Sequence, residues 1–180
     1  WQRLNEAIWL IPSAWGYDLI RNSKSMTDAD RKKIENHFIM PCVKSIMRSP
    51  GIITAPTNWS VVCNAGVMIG SRVCGNDNYY RKSIDGLTGK RGERGGIFFH
   101  LDNGIDDDGM WAEGAIGYQF MAMRGLLVCA EILWRDGIDI YSYRNGRLKL
   151  VFDSPIWYCY PGGRRSPAVR WRTWSPGMPS

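Results

Sequence analysis

Apolar positions recur along the chain at helical spacing, and that period organises it. Leu4, Ile8, Leu10, Ile11, Trp15 and Leu19 mark one helix or two short ones over residues 2–22, with Pro12 as the expected kink or break. Thr27-Asp28-Ala29-Asp30 has the form of a capping box with Asp in place of Glu. Ile34, Phe38, Ile39, Val43, Ile46 and Met47 then continue the stripe toward Pro50-Gly51, which predicts a helix over 27–49 and a loop over 51–57. Residues 58–74 read as a buried helix whose Ala65, Gly66, Gly70 and Ser71 let a neighbour approach closely.

The second half is more broken. Residues 76–94 are polar and glycine-rich, with Tyr79, Tyr80 and Ile84 suggesting one short helix, and 97–101 form a short apolar element of undetermined type. Asp106-Asp107-Asp108-Gly109 predicts a turn, 114–135 a long helix closed by Asp136-Gly137, and 148–160 a last helix stopped by Pro161-Gly162-Gly163. Strand-like alternation is nearly absent. The expected fold is all-α, built of antiparallel helix pairs over 1–163, followed by a tail, 164–180, that reads as extended or non-native.

Length and composition fit this picture. At 180 residues, 44% hydrophobic and 22% charged, the chain has one globular domain's worth of sequence and is neither collagen-like nor disordered. No uninterrupted apolar run approaches the roughly 18 residues of a membrane span, and 125–134, broken by Glu131, reads as a buried helix, so no membrane partner is expected. Trp1-Gln2-Arg3 lacks a signal-peptide layout, which leaves a cytosolic protein or one read without its leader.

The net charge of +6 owes four arginines, Arg164, Arg165, Arg170 and Arg172, to the tail; residues 1–163 hold 19 basic and 17 acidic groups. A nucleic-acid surface would need a basic stripe on the folded part, so none is expected as partner, while an anionic substrate is compatible. Five cysteines without a C-x-x-C pair indicate buried thiols rather than zinc or a disulfide framework. The Asp106 to Gly109 fragment has Gly104 and Ala115 where an EF-hand needs its first and twelfth ligands, so no metal or cofactor is expected. Nine tryptophans and eight tyrosines suit either sugar stacking or a helical core.

Two segments carry a recognisable pattern. Asn58-Trp59-Ser60-Val61-Val62-Cys63-Asn64-Ala65 resembles the Asn-Trp-x-x-x-His-Asn-(Ala/Ser) helix of the alginate lyase and heparinase II/III superfamily of polysaccharide lyases. Asp108-Gly109-Met110-Trp111-Ala112-Glu113-Gly114 through Tyr118-Gln119-Phe120 resembles their Asp-Gly-x-Trp-x-Glu-Gly-Ser-x-x-Tyr-His-Phe stretch, and residues 4–20 are similar to a helix of that family. The resemblance implies a partial (α/α) toroid, with the rest of the toroid and a β-sandwich domain missing. It also implies β-elimination on an acidic, uronic-acid polysaccharide without a catalytic metal, and a secreted or periplasmic parent protein. A non-catalytic carbohydrate-binding helical module is the alternative.

Such chemistry needs a group to take the proton beside the uronate carboxylate, an acid for the leaving oxygen, and donors to offset the enolate-like charge. Tyr118 matches the family's catalytic tyrosine; from the residues alone it reads as an ordinary core aromatic on an apolar helix with Phe120, Met121 and Leu126. Cys63, 55 positions earlier, stands where the family usually has His, and a cysteine there is either a proton-exchanging thiol or simply packed. Asn64 is the carboxylate-facing candidate, and Asn58 reads as an N-cap or a substrate contact. Trp59 and Trp111 stack sugar rings or fill core. Glu113, which adjoins the tyrosine segment, is a substrate-binding candidate. His100, with His37 one of two imidazoles, is substrate-binding or structural.

Overall fold

The computed structural model describes residues 3–159, side chains included except those of Tyr158 and Cys159. The tail assigned to 164–180 lies outside the described residues. Those described are all-α, without a strand; one isolated antiparallel bridge joins Ile105 and Trp111.

Helix α1 spans Arg3–Ile20 as one continuous helix, with Pro12 on its exposed side rather than at a break. Thr27 caps α2, Asp28–Ile34, through the reciprocal capping box that its sequence predicts. The 27–49 helix is not uniform: a π-helical turn at Glu35–Ile39 separates α2 from α3, Met40–Met47. Pro41 supplies a physical reason, because it lacks the N–H that a regular helix would bond to residue 37. The loop expected over 51–57 begins instead as a short helix, α4, Pro50–Ile53.

Helices α5, Asn58–Val73, and α6, Asp77–Asp85, follow. The undetermined 97–101 element is helical, α7 at Ile97–Asn103. The long helix α8 starts two residues later than its sequence pattern suggests, at Ile116–Arg135; by length and composition it is long and apolar enough for a bilayer span, and here one face packs on α5. Tyr143–Cys159, α9, contains left-handed backbone at Arg144, Asn145 and Gly146, so its regular part begins at Arg147.

Close contacts fix the helix directions. A Cβ on Gly66 would lie 3.2 Å from Ala7, and one on Gly70 3.3 Å from Leu10, so α1 and α5 run parallel. A Cβ on Gly125 would meet the Val61 carbonyl at 3.0 Å, and Arg72 pairs with Asp136 at 2.8 Å, so α8 is parallel to α5 as well. Each parallel helix has an antiparallel return. Arg3 reaches Ser45 while Tyr17 reaches Glu35; Asn64 reaches Ser83 while Arg72 stacks over Tyr80; Gln119 reaches Val151 while Glu131 accepts from Tyr141, ahead of α9. Only Trp59 and Arg72 of α5 escape burial, which makes it the central element of the core.

Candidate active site

Because α1, α5 and α8 are parallel, α5 and α8 begin at the same end of the molecule. At α5 the cap is Thr57, not Asn58: Thr57 has extended backbone and accepts from the Ser60 amide at 3.3 Å. Asn58 is therefore the first helical residue, and its free N–H points to the Glu113 carboxylate at 2.5 Å. The same Glu113 oxygen accepts from Asn58 Nδ2 at 2.8 Å and from the Trp111 indole at 2.9 Å. An anion here is also favoured by the helix dipole. Asn58 Oδ1 is buried without a hydrogen-bond partner among the described residues.

Tyr118 lies in the first turn of α8. Positions 118, 122, 125 and 129 form one helical stripe, and Gly125 of that stripe packs on Val61, so Tyr118 faces the α5 side about one turn ahead of where α5 begins. It is consequently 51% exposed, although its stripe-mates Ala122, Gly125 and Cys129 are buried. The amides of Ile116, Gly117 and Tyr118 have no side-chain cap. Trp59, 40% exposed, occupies the equivalent place on the α1-facing stripe of α5, with Gly66 and Gly70.

The other sequence-predicted residues lie inside. Trp111 is fully buried beneath its bond to Glu113. Cys63 is also fully buried, and desolvation pushes its thiol up to about 12, with the nearby Glu6 charge adding to the shift. Asn64 donates from a buried position to the Ser83 carbonyl at 2.9 Å, fastening α5 to α6. His100 is wholly enclosed, held neutral by desolvation with its pKa lowered to about 3, and lies 3.3 Å from the Ser60 hydroxyl, which donates to the Ile53 carbonyl. The structure thus brings Asn58, Trp111, Glu113 and the start of Tyr118's helix together, whereas Asn64 is engaged with α6.

Two residues that the sequence motifs include without a role turn out to tie this region together. Gln119 receives the Trp111 N–H and spreads its amide over Gly109, Val151 and Ser154, so it knots the turn before α8 to α9. Ser60 links α4, α5 and α7. A buried amide within an otherwise apolar helix was the available signal for Gln119. Among the described residues no cluster of three His, Cys, Asp or Glu side chains could hold a metal. A cavity of about 590 Å³ lies at the opposite end, where α1, α5 and α8 finish, lined by Trp15, Arg72 and Glu131 among others.

An all-helical domain in which an Asp-Gly-x-Trp-x-Glu-Gly segment feeds a tyrosine-bearing helix resembles the helical domains of polysaccharide lyases. The sequence profile of the alginate lyase family matches residues 6–154, and the chain belongs to that family. It is 30% identical over 167 residues to an exo-oligoalginate lyase of Saccharophagus degradans, covering 90% of this chain and 22% of that protein. It is 26% identical over 164 residues to an alginate lyase of Stenotrophomonas maltophilia, covering 90% and 21%. The chain thus spans about a fifth of the length of these relatives.

Proposed function

We propose that this domain takes part in β-elimination on a uronic-acid polysaccharide, with Tyr118 as its proton-transfer group. In that reaction the proton beside the carboxylate leaves, the bond to the glycosidic oxygen breaks, that oxygen gains a proton, and a carbon–carbon double bond remains in the sugar. The observation that carries the reading is the placement of Tyr118: a half-exposed tyrosine on the α5-facing stripe, ahead of the α5 terminus. Family membership and the names of both relatives support the substrate class. The uncapped first-turn amides of α8 lie beside the tyrosine, where they favour developing negative charge. Trp59 offers an aromatic surface at the same end.

One observation favours the binding-only alternative. Cys63, in the family's usual histidine position, is a buried thiol raised to about 12 and cannot exchange protons near neutrality. A single tyrosine serving as both base and acid reconciles the two. The parent protein is proposed to be secreted or periplasmic, where such polymers are met. Exposed apolar side chains on α1 (Trp9, Leu19) and α8 (Phe120, Leu127, Trp134) fit edges against which the rest of an (α/α) toroid packs. The test is ultraviolet absorbance of the unsaturated product over a panel of uronans, comparing the wild-type chain with Tyr118→Phe.

A further inference from the structure

The positive charge of the folded body is not spread over it. Between Arg81 and Arg94 there are five cations, Arg81, Lys82, Lys90, Arg91 and Arg94, against two acids, Asp85 and Glu93, a local excess of three. The remainder of residues 1–163 holds 14 basic and 15 acidic groups, so this short segment supplies the body's whole positive excess.

The segment ends in a shaped loop between α6 and α7. Leu87 N–H bonds to the Arg94 carbonyl at 3.4 Å, and Gly89 and Gly92, both at positive φ, flank Lys90-Arg91. Glu93 is turned inward onto Thr88, and Arg91 is shared between Asp85 and the face of Phe98. That leaves the side chains of Lys90, Arg94 and Arg81 exposed, with no side-chain hydrogen bond or ion pair among the described residues. The base of the loop lies at the beginning of α5: a Cβ on Gly95 would be 3.2 Å from Ile53, whose carbonyl receives the Ser60 hydroxyl from the first turn of that helix. The loop therefore belongs to the end of the molecule that carries Tyr118 and Trp59.

We propose that the Gly86–Gly96 loop, through Lys90 and Arg94 with Arg81 behind them, is a binding element for the carboxylates of an acidic polysaccharide outside the reacting sugar. This rests on the substrate class proposed above and adds to it a site of its own. Unpaired cations on a loop held by its own backbone gain charge pairing with little ordering cost, and their attraction to a polyanion is screened by salt. The polysaccharide is favoured over a nucleic acid because the loop shares its end of the domain with the lyase tyrosine.

The test is calorimetric titration of the full chain at low salt with a uronic-acid hexasaccharide, a neutral glucan hexasaccharide and an oligodeoxynucleotide of equal charge. The wild-type chain is expected to bind the hexauronate, to bind the neutral sugar far more weakly, and to lose affinity as salt rises. Lys90→Ala/Arg94→Ala should weaken hexauronate binding about tenfold and flatten the salt dependence, without changing the melting temperature. Hexauronate binding by the double variant within twofold of wild type would overturn the proposal, as would no binding by the wild type or tighter binding of the oligonucleotide. Product formation by Tyr118→Phe, measured separately, reads the proposed chemistry: its failure leaves the binding result intact, and the reverse holds too.

Discussion

The backbone N–H of Asn58 and the carboxylate of Glu113 meet at 2.5 Å across 55 residues of chain, at the point where α5 begins and two residues before the cap of α8. Because the same oxygen holds the Asn58 amide and the Trp111 indole, this carboxylate sets how the starts of the two helices lie against each other. Removing it leaves three donors without their acceptor, at about 1–3 kcal/mol for each that stays buried. Glu113→Ala should therefore lower unfolding free energy by about 3 kcal/mol in urea titration, and Glu113→Gln, which keeps one oxygen, by about half as much. A loss below about 0.5 kcal/mol for Glu113→Ala would contradict this role.

His100 predicts a pH dependence. Its folded pKa is lowered from the ordinary 6.5 to about 3 by burial, so between those values the unfolded chain binds the proton and the folded chain does not. Stability contributed by the neutral ring is complete above pH 6.5 and is lost as pH falls toward 3. The expected slope from this group approaches about 1.4 kcal/mol per pH unit below pH 6. Chemical denaturation of wild type and His100→Gln at pH 7, 6 and 5 checks it; equal slopes would show that the ring titrates normally.

The contact of α5 with α3 gives a packing test. A Cβ on Gly70 would lie 2.6 Å from Val43 Cγ2, with Leu10 and Ile39 also close. Gly70→Ala gains helix propensity of about 1 kcal/mol but must displace a packed side chain, typically at about 1–3 kcal/mol. Net destabilisation is expected, and Val43→Ala should relieve it, so that Gly70→Ala costs less in the Val43→Ala background. Additive effects in the double-mutant cycle would place the strain elsewhere.

Helix existence and class were legible because burial imposes the 3.6 period, as in 58–74 and 114–135, and because Thr27 carries its capping chemistry locally. What was not legible depends on partners distant in sequence. Asn58 has the composition of a cap, yet Thr57 takes that role and Asn58 turns to Glu113. Asn64 and Cys63 adjoin each other in a family-like stretch, but their side chains are spent on α6 and on burial, which no local pattern reports. Tyr118 shows the converse: its stripe predicts burial, and only the later start of α5 leaves it open.

Burial of Cys63 has a consequence for substitution. An imidazole is larger than a thiol and the site is closed, so Cys63→His should lower stability by about 1–3 kcal/mol through overpacking. Cys63→Ala should leave product formation unchanged, since the thiol carries no proton traffic at neutral pH. Loss of product formation in a folded Cys63→Ala chain would return the thiol to the mechanism.

Proton transfer by Tyr118 is read by the rate of unsaturated-sugar formation from a uronan, followed by ultraviolet absorbance, in the wild-type and Tyr118→Phe chains of matched melting temperature. A fall of about 100-fold or more is expected, since a lost acid/base group costs that much, with unchanged stability, since the hydroxyl makes no hydrogen bond among the described residues. Product formation by Tyr118→Phe at the wild-type rate would contradict it.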